Sequence, residues 1–405
     1  MLIAILLGVS AGVFTGLTPG IHINMVAAAA YSIMPYLPFS PFFLATALVA
    51  MSITHTFFDF IPSILLGAPD PDTALAALPG HQMLMKGQGY AAIHLTIIGS
   101  FACLMAVVLV SPLLVLAVPL IYSFLYPFIG LILAAFVALL ILKEEGIKKK
   151  AIASVVSLLS GILGLVVLNS PINQPLFPML TGLFGMSMLA TSIKSKAFIP
   201  KQRIEDLFIS KKALAKPVLL GVLSGGLVSI FPGLGPAQAA ALVSLKKMKT
   251  HTYLMVIGGI NTVSMFFALI TMYTIGKARN GSIVVVQELL ETVYLSDVMV
   301  LVAVSVVTGI IAFFLSLKIS KLVSSRISSV NYPKLSLAVM ALIIALVLLI
   351  SGISGLAVLA AATLIGIIPI KKGIHRSHLM SCLLLPVMKY FFYTLFILVT
   401  NSPEI

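Results

Sequence analysis

Apolar runs long enough to cross a lipid bilayer recur from Met1 to Thr400, and that recurrence limits the chain to a multi-pass membrane protein. A hydrocarbon core about 30 Å thick takes roughly 20 apolar residues per helical crossing, so about ten crossings fit. Of the 405 residues 60% are hydrophobic and only 9% charged, where a water-soluble domain carries roughly 25% charge. The longest polar stretch, Lys194 to Lys216, is a connector rather than a soluble domain. The chemistry of such a chain has to take place inside the membrane.

The formal charge of +14 resides in short basic clusters between apolar runs, which marks loop topology and not a nucleic-acid surface. Cytoplasmic loops are enriched in Lys and Arg, so five clusters are assigned inside: Lys143 with Lys148 to Lys150, Lys194 to Lys216, Lys246 to Lys249, Lys318 to Arg326, and Lys371 to Arg376. Cys103 and Cys382 both fall in apolar runs with no metal or disulfide spacing and read as buried small hydrophobes. The N-terminal apolar stretch has no basic lead and no small-x-small cleavage site, and is expected to be retained.

One segment occurs twice. Gly8, Gly12, Gly16 and Pro19-Gly20 match Gly221, Gly225, Ser229 and Pro232-Gly233 at a gap-free offset of 213 residues. Small residues at every fourth position give a smooth helix face for close packing, and Pro-Gly then breaks the helix. The apolar stretches that follow, Ile23 to Met34 and Leu234 to Leu245, are half-helix length. Each copy therefore reads as a re-entrant hairpin, residues 1–34 in a first repeat of 1–200 and residues 217–245 in a second repeat of 201–405. A helical pair at 151–193 closes the first repeat. Three spans, Phe42 to Leu66, Gly89 to Val110 and Leu113 to Leu142, separate the first hairpin from the inside loop at Lys143. The hairpins then enter from opposite faces, as in transporters built from inverted repeats with substrate near the midplane. The expected fold is all-α, with about ten transmembrane helices plus the two hairpins.

A helix that starts within the membrane presents free N–H groups and a partial positive charge, which suits an anion. The candidate substrate-binding residues are accordingly Pro19, Gly20, His22 and Asn24 at the first break, and Pro232, Gly233, Gly235 and Gln238 at the second. An isolated Pro-Gly would be read as a kink; duplication at matched positions argues for a site. His55 and Asp59, four apart on one helix face, are a candidate proton or cation site, with a local ion pair between helices as the other reading. Asn261 and Thr262, after the second hairpin, are candidate polar counterparts facing the same cavity. The stretch from Leu65 to Gly89 mixes turn formers, acids and a lysine, and composition does not choose between an exterior loop and one that dips back into the protein.

These segments resemble the large permease subunit of tripartite tricarboxylate transporters, the TctA family. The likeness is carried by the glycine-rich, proline-glycine stretches Gly12 to Gly20 and Gly225 to Pro236. It extends to Ile64 to Pro69 with Thr73 to Met83 and Lys86 to Gly89, and to Gly258 to Thr262 with Ile275 to Gly281. Gly67-Ala68-Pro69-Asp70 and the His55/Asp59 pair depart from the bacterial pattern and suggest a divergent, archaeal branch. The resemblance implies a secondary transporter in the cytoplasmic membrane for a small organic anion, a di- or tricarboxylate, driven by a Na+ or H+ gradient. It also implies lipid contact and service by a small membrane subunit and an extracytoplasmic solute-binding protein. No metal, cofactor or nucleic-acid partner is expected. The sequence holds no H-E-x-x-H, G-x-S-x-G or Walker lysine, so an enzyme is not expected. A flippase for a phosphorylated lipid is the alternative transport reading, since a helix-terminus anion site suits a phosphate headgroup too; a membrane scaffold or intramembrane enzyme is the alternative outside transport.

Overall fold

The structure is a computed structural model describing residues 1–400 except 19, 20, 22, 37, 68–72, 195–198, 206, 232–234, 245–247, 279, 330 and 331. The side chains of 74–78, 192–194, 238, 241, 244, 332, 335 and 394–400 also lie outside the description. The protein is an all-α polytopic membrane protein. Among the described residues seven helices are long and apolar enough to cross a membrane, and three shorter apolar helices accompany them.

The first half runs α1 (Leu2–Leu17), α2 (Ile23–Ile33), α3 (Pro41–Phe58), α4 (Phe60–Leu65), α5 (Ala74–Leu84), α6 (Gly89–Leu125), α7 (Ile129–Leu142), α8 (Ile147–Leu168), α9 (Leu176–Leu180), a π-helical turn (Thr181–Met186) and α10 (Ser187–Lys194). The second half runs α11 (Lys211–Ile230), α12 (Pro236–Ser244), α13 (Thr250–Ile275), α14 (Gly281–Leu290), α15 (Leu295–Arg326), α16 (Tyr332–Lys372) and α17 (Ser381–Thr400). Within α16, Gly352 has a φ of 67° and a ψ of −164° that interrupt the helix. The contacts are exchanged between halves: α6 lies along α13 while α15 lies along α3, and α17 lies on α8 while the π-turn lies on α16.

The small-residue stripes do what their spacing predicts. Gly12 faces Met51 and Thr54 of α3, and Gly225 faces Ile260 and Val263 of α13, 209 residues further on. Where α6 meets α13, a Cβ on Gly99 would collide with the Met255 carbonyl, and one on Gly258 with the Thr96 carbonyl. Backbones in contact gain dispersion that lipid cannot replace, which is how helices associate without a hydrophobic driving force. Two large cores result. One unites α1, α3, α4, α6, α13, α14 and α15, and the other α7, α8, the π-turn, α16 and α17. Each half of the sequence contributes to both.

Two local expectations change. The spans Gly89 to Val110 and Leu113 to Leu142 were separated at Ser111-Pro112, yet α6 passes through this point unbroken and bends instead at Tyr126–Phe128. Pro112 leaves the Val108 carbonyl without its helical donor, and the Ser111 hydroxyl donates to that carbonyl at 2.8 Å. The stretch from Leu65 to Gly89 contains a helix, α5, packed on α4 and α6, with Gly80 against Ile64 and His81 Nδ1 donating to the Ile64 carbonyl at 3.2 Å. The polar connector is pinned as well: Gly89 N–H donates to Gln202 Oε1 at 2.7 Å and Arg203 N–H to the Gly87 carbonyl at 2.8 Å.

Because the atom facing Gly258 is backbone and cannot swing aside, Gly258→Val is expected to cost at least about 2 kcal/mol. Unfolding in detergent micelles, compared with a lipid-facing control such as Leu349→Val, reads this difference.

Candidate functional site

Ser52, Thr56, Asp59 and Ser63 recur at helical spacing along α3 and α4, and all are buried. Polar groups at membrane depth need partners; Ser63 meets Thr73 Oγ1 at 2.6 Å, and the other three find theirs on the second half of the chain. Ser52 Oγ meets Ser282 Oγ at 2.8 Å, Thr56 Oγ1 meets Thr262 Oγ1 at 3.0 Å, and Asn261 Nδ2 donates to Asp59 Oδ2 at 2.6 Å. Thr262 and Asn261 lie side by side on α13, and Ser282 lies on α14. Asp59 and Asn261 are only 2% and 3% exposed.

His55 stands behind the carboxylate. Its Nδ1 lies 3.0 Å from Thr15 Oγ1, and its Nε2 lies 3.9 Å from Asp59 Oδ2. The Thr15 hydroxyl also reaches the Gly12 carbonyl at 3.2 Å, and a carbonyl can only accept. Thr15 therefore donates to Gly12 and accepts from His55 Nδ1–H, with Nε2 on the side of Asp59. The hydroxyls chain in the same way: Thr56 donates to the Ile53 carbonyl at 2.8 Å, and Thr262 can then donate to Thr56.

Asn24 joins this surface from α2. Its Oδ1 accepts the Ser282 N–H at 2.9 Å, beside the Ser282 hydroxyl that meets Ser52. The structure thus brings Asn24, His55, Asp59, Asn261 and Thr262 onto one connected polar surface. Gly235 lies at the start of α12, where its carbonyl accepts Ala239 N–H. Pro19, Gly20, His22, Pro232 and Gly233 lie outside the described residues, as does the Gln238 side chain.

Thr15, Ser52 and Ser282 belong to the surface and were not anticipated. Thr15 directly precedes a stripe glycine, which is a usable signal, whereas nothing in the sequence marks Ser282. Arg376 also differs from expectation: assigned to an exposed basic cluster, it is 7% exposed. Next to it Glu144 Oε1 accepts His375 N–H at 2.7 Å and His378 Nε2–H at 2.9 Å. Burial would raise the Glu144 carboxyl, but the His375 and His378 bonds outweigh it and hold it below its ordinary value. Burial lowers His378, against the pull of Glu144.

Both of these groups bind fewer protons folded than unfolded, so stability falls as pH drops below the ordinary histidine value and again below the ordinary carboxylate value. Thermal unfolding between pH 7 and pH 4 is expected to show this, with the carboxylate part of the slope reduced in Glu144→Gln. In the α3–α13 crossing, Asn261→Leu removes a donor from a buried carboxylate and is expected to cost about 2–3 kcal/mol. A Thr56→Val/Thr262→Val double-mutant cycle is expected to give a coupling of about 0.5–1.5 kcal/mol.

Comparison with known proteins places this geometry. The family model described as "Tripartite tricarboxylate transporter TctA family" matches residues 2–381. An uncharacterised protein of Methanocaldococcus jannaschii is 30% identical over 96% of this chain and 98% of its own length. No solved structure matches.

Proposed function

Since the chain belongs to the tripartite tricarboxylate transporter TctA family, we propose that it is a permease moving a small organic anion, a di- or tricarboxylate, across the cytoplasmic membrane at the expense of a Na+ or H+ gradient. The observation that carries the reading is the buried bond from Asn261 to Asp59 across α3 and α13. In this reading the two halves are inverted repeats that meet at α3 and α13, with an ionisable group between them. Asp59 and His55 bind the coupling ion. Asn261 and Thr262, engaged by Asp59 and Thr56, belong with them.

The coupling follows from the charge state of Asp59. As a bare carboxylate it holds Asn261 by a strong bond, and protonation or a bound cation withdraws that charge and weakens the tie between the halves. The substrate anion occupies the two breaks, Pro19, Gly20, His22 and Asn24 on one side and Pro232, Gly233, Gly235 and Gln238 on the other. There the first turns of α2 and α12 offer N–H groups and positive dipole ends. The solute arrives from a solute-binding protein, with a small membrane subunit alongside.

Uptake of labelled citrate and succinate into proteoliposomes tests this. Wild-type protein is expected to concentrate at least one of them under a Na+ or H+ gradient. Asp59→Asn is expected to reduce gradient-driven uptake to background while leaving exchange of internal for external solute measurable. Absence of uptake by folded wild type under both gradients overturns the carboxylate assignment.

A further inference from the structure

Away from the polar surface around Asp59, a buried arginine, Arg376, stands in the turn that packs against α12. Arg376 is held against the π-turn of Thr181–Met186. Its Nη2 donates to the Phe184 carbonyl at 2.5 Å, the Leu183 carbonyl at 3.4 Å and Ser187 Oγ at 3.3 Å. Nη1 lies 3.5 Å from Met188 Sδ, and the guanidinium carbon stands 5.3 Å from the Phe184 ring centre. These partners are carbonyls, a hydroxyl, a thioether and a ring face, and none is an anion.

Among the described residues no carboxylate pairs with this guanidinium, and its Nε has no hydrogen-bond partner. The neighbouring acid, Glu144, is occupied by His375 and His378. A buried cation with no counter-charge is destabilising unless something supplies the charge. Burial pulls Arg376 down only to about 10, so it remains cationic at neutral pH. The π-turn fits the same picture, since such turns open the helical hydrogen-bond pattern and recur at functional sites.

Its surroundings point to the source of the missing charge. The turn at Arg376–Met380 packs against α12. Phe231, directly before Pro232, and Ala237, in the first turn of α12, share one core with Phe184 and Leu379. From the other core Leu66 reaches across to Met186 and Leu189. Arg376 therefore stands between the π-turn and α12.

We propose that Arg376 is a substrate-binding residue whose guanidinium takes one carboxylate group of the transported anion beside α12. This rests on the anion-transport reading above and adds to it the charged partner that a dianion or trianion needs. A guanidinium already fixed by Phe184 and Ser187 keeps part of its donor fork for the ligand with little ordering cost. The π-turn carbonyls set its orientation, so the anion's charge is met by a preformed group.

The test uses full-length protein in detergent, with unfolding temperature followed against citrate, succinate and inorganic phosphate, for wild type, Arg376→Gln and Arg376→Lys. The glutamine amide can still donate to the Phe184 carbonyl but carries no charge. Wild type is expected to show a saturable upward shift with a carboxylate. Arg376→Gln is expected to fold and to need at least tenfold more anion, with Arg376→Lys between the two. If Arg376→Gln fails to fold, Arg376→Lys decides: a folded lysine variant with weakened anion response supports the proposal, and an unchanged response overturns it. An Arg376→Gln protein that folds and responds as wild type does overturns the proposal while leaving the transport reading intact. A wild type that responds to phosphate alone overturns the carboxylate reading, and loss of that response in Arg376→Gln still supports Arg376 as the anion's partner. A wild type that responds to none of the three overturns both.

Discussion

Everything else in the molecule is arranged around the bond from Asn261 to Asp59, a carboxylate at membrane depth tied across the crossing of α3 and α13. Ionised groups are costly there, and an ordinary protein would replace both partners with well-packed apolar residues. Around this bond, glycines bring α1 against α3, α11 against α13 and α6 against α13. The polar contacts of Ser52, Thr56 and Asp59 tie α3 and its end to the second half.

A second organising feature is the exchange of contacts between halves. The helix after each hairpin leans on a long helix from the other half, α6 on α13 and α15 on α3, so neither half completes a core alone. The same exchange recurs in the second core, where α8 meets α17 and the π-turn meets α16. Two bodies built in this way can shift relative to one another only at the few elements between them. Prominent among these is α12, which lies against the turn that carries Arg376.

Much of this was legible in the residues. Apolar run length gave the helical membrane class, and the four-residue spacing of Gly8, Gly12 and Gly16 gave a packing face. His55 with Asp59, and Asn261 with Thr262, were named from the sequence as facing one cavity, while the bond from Asn261 to Asp59 is seen only in the structure. Where the reading stopped short, the reason is physical. Pro112 was taken as a break because the compensating hydroxyl lies one residue earlier and acts only through geometry. Ser282 and Thr15 are ordinary in sequence and matter through what faces them. Arg376 sat in a run of basic residues, and exposure of one member of such a run does not transfer to its neighbours.

The most direct test of the central claim is the ion dependence of unfolding for wild type and Asp59→Asn, measured against Na+ at fixed pH and against pH at fixed Na+. If the α3–α13 crossing is the coupling site, wild-type stability responds to one of these two ions and the asparagine variant loses that response while remaining folded. An Asp59→Asn protein that responds to the same ion with the same midpoint would contradict the account.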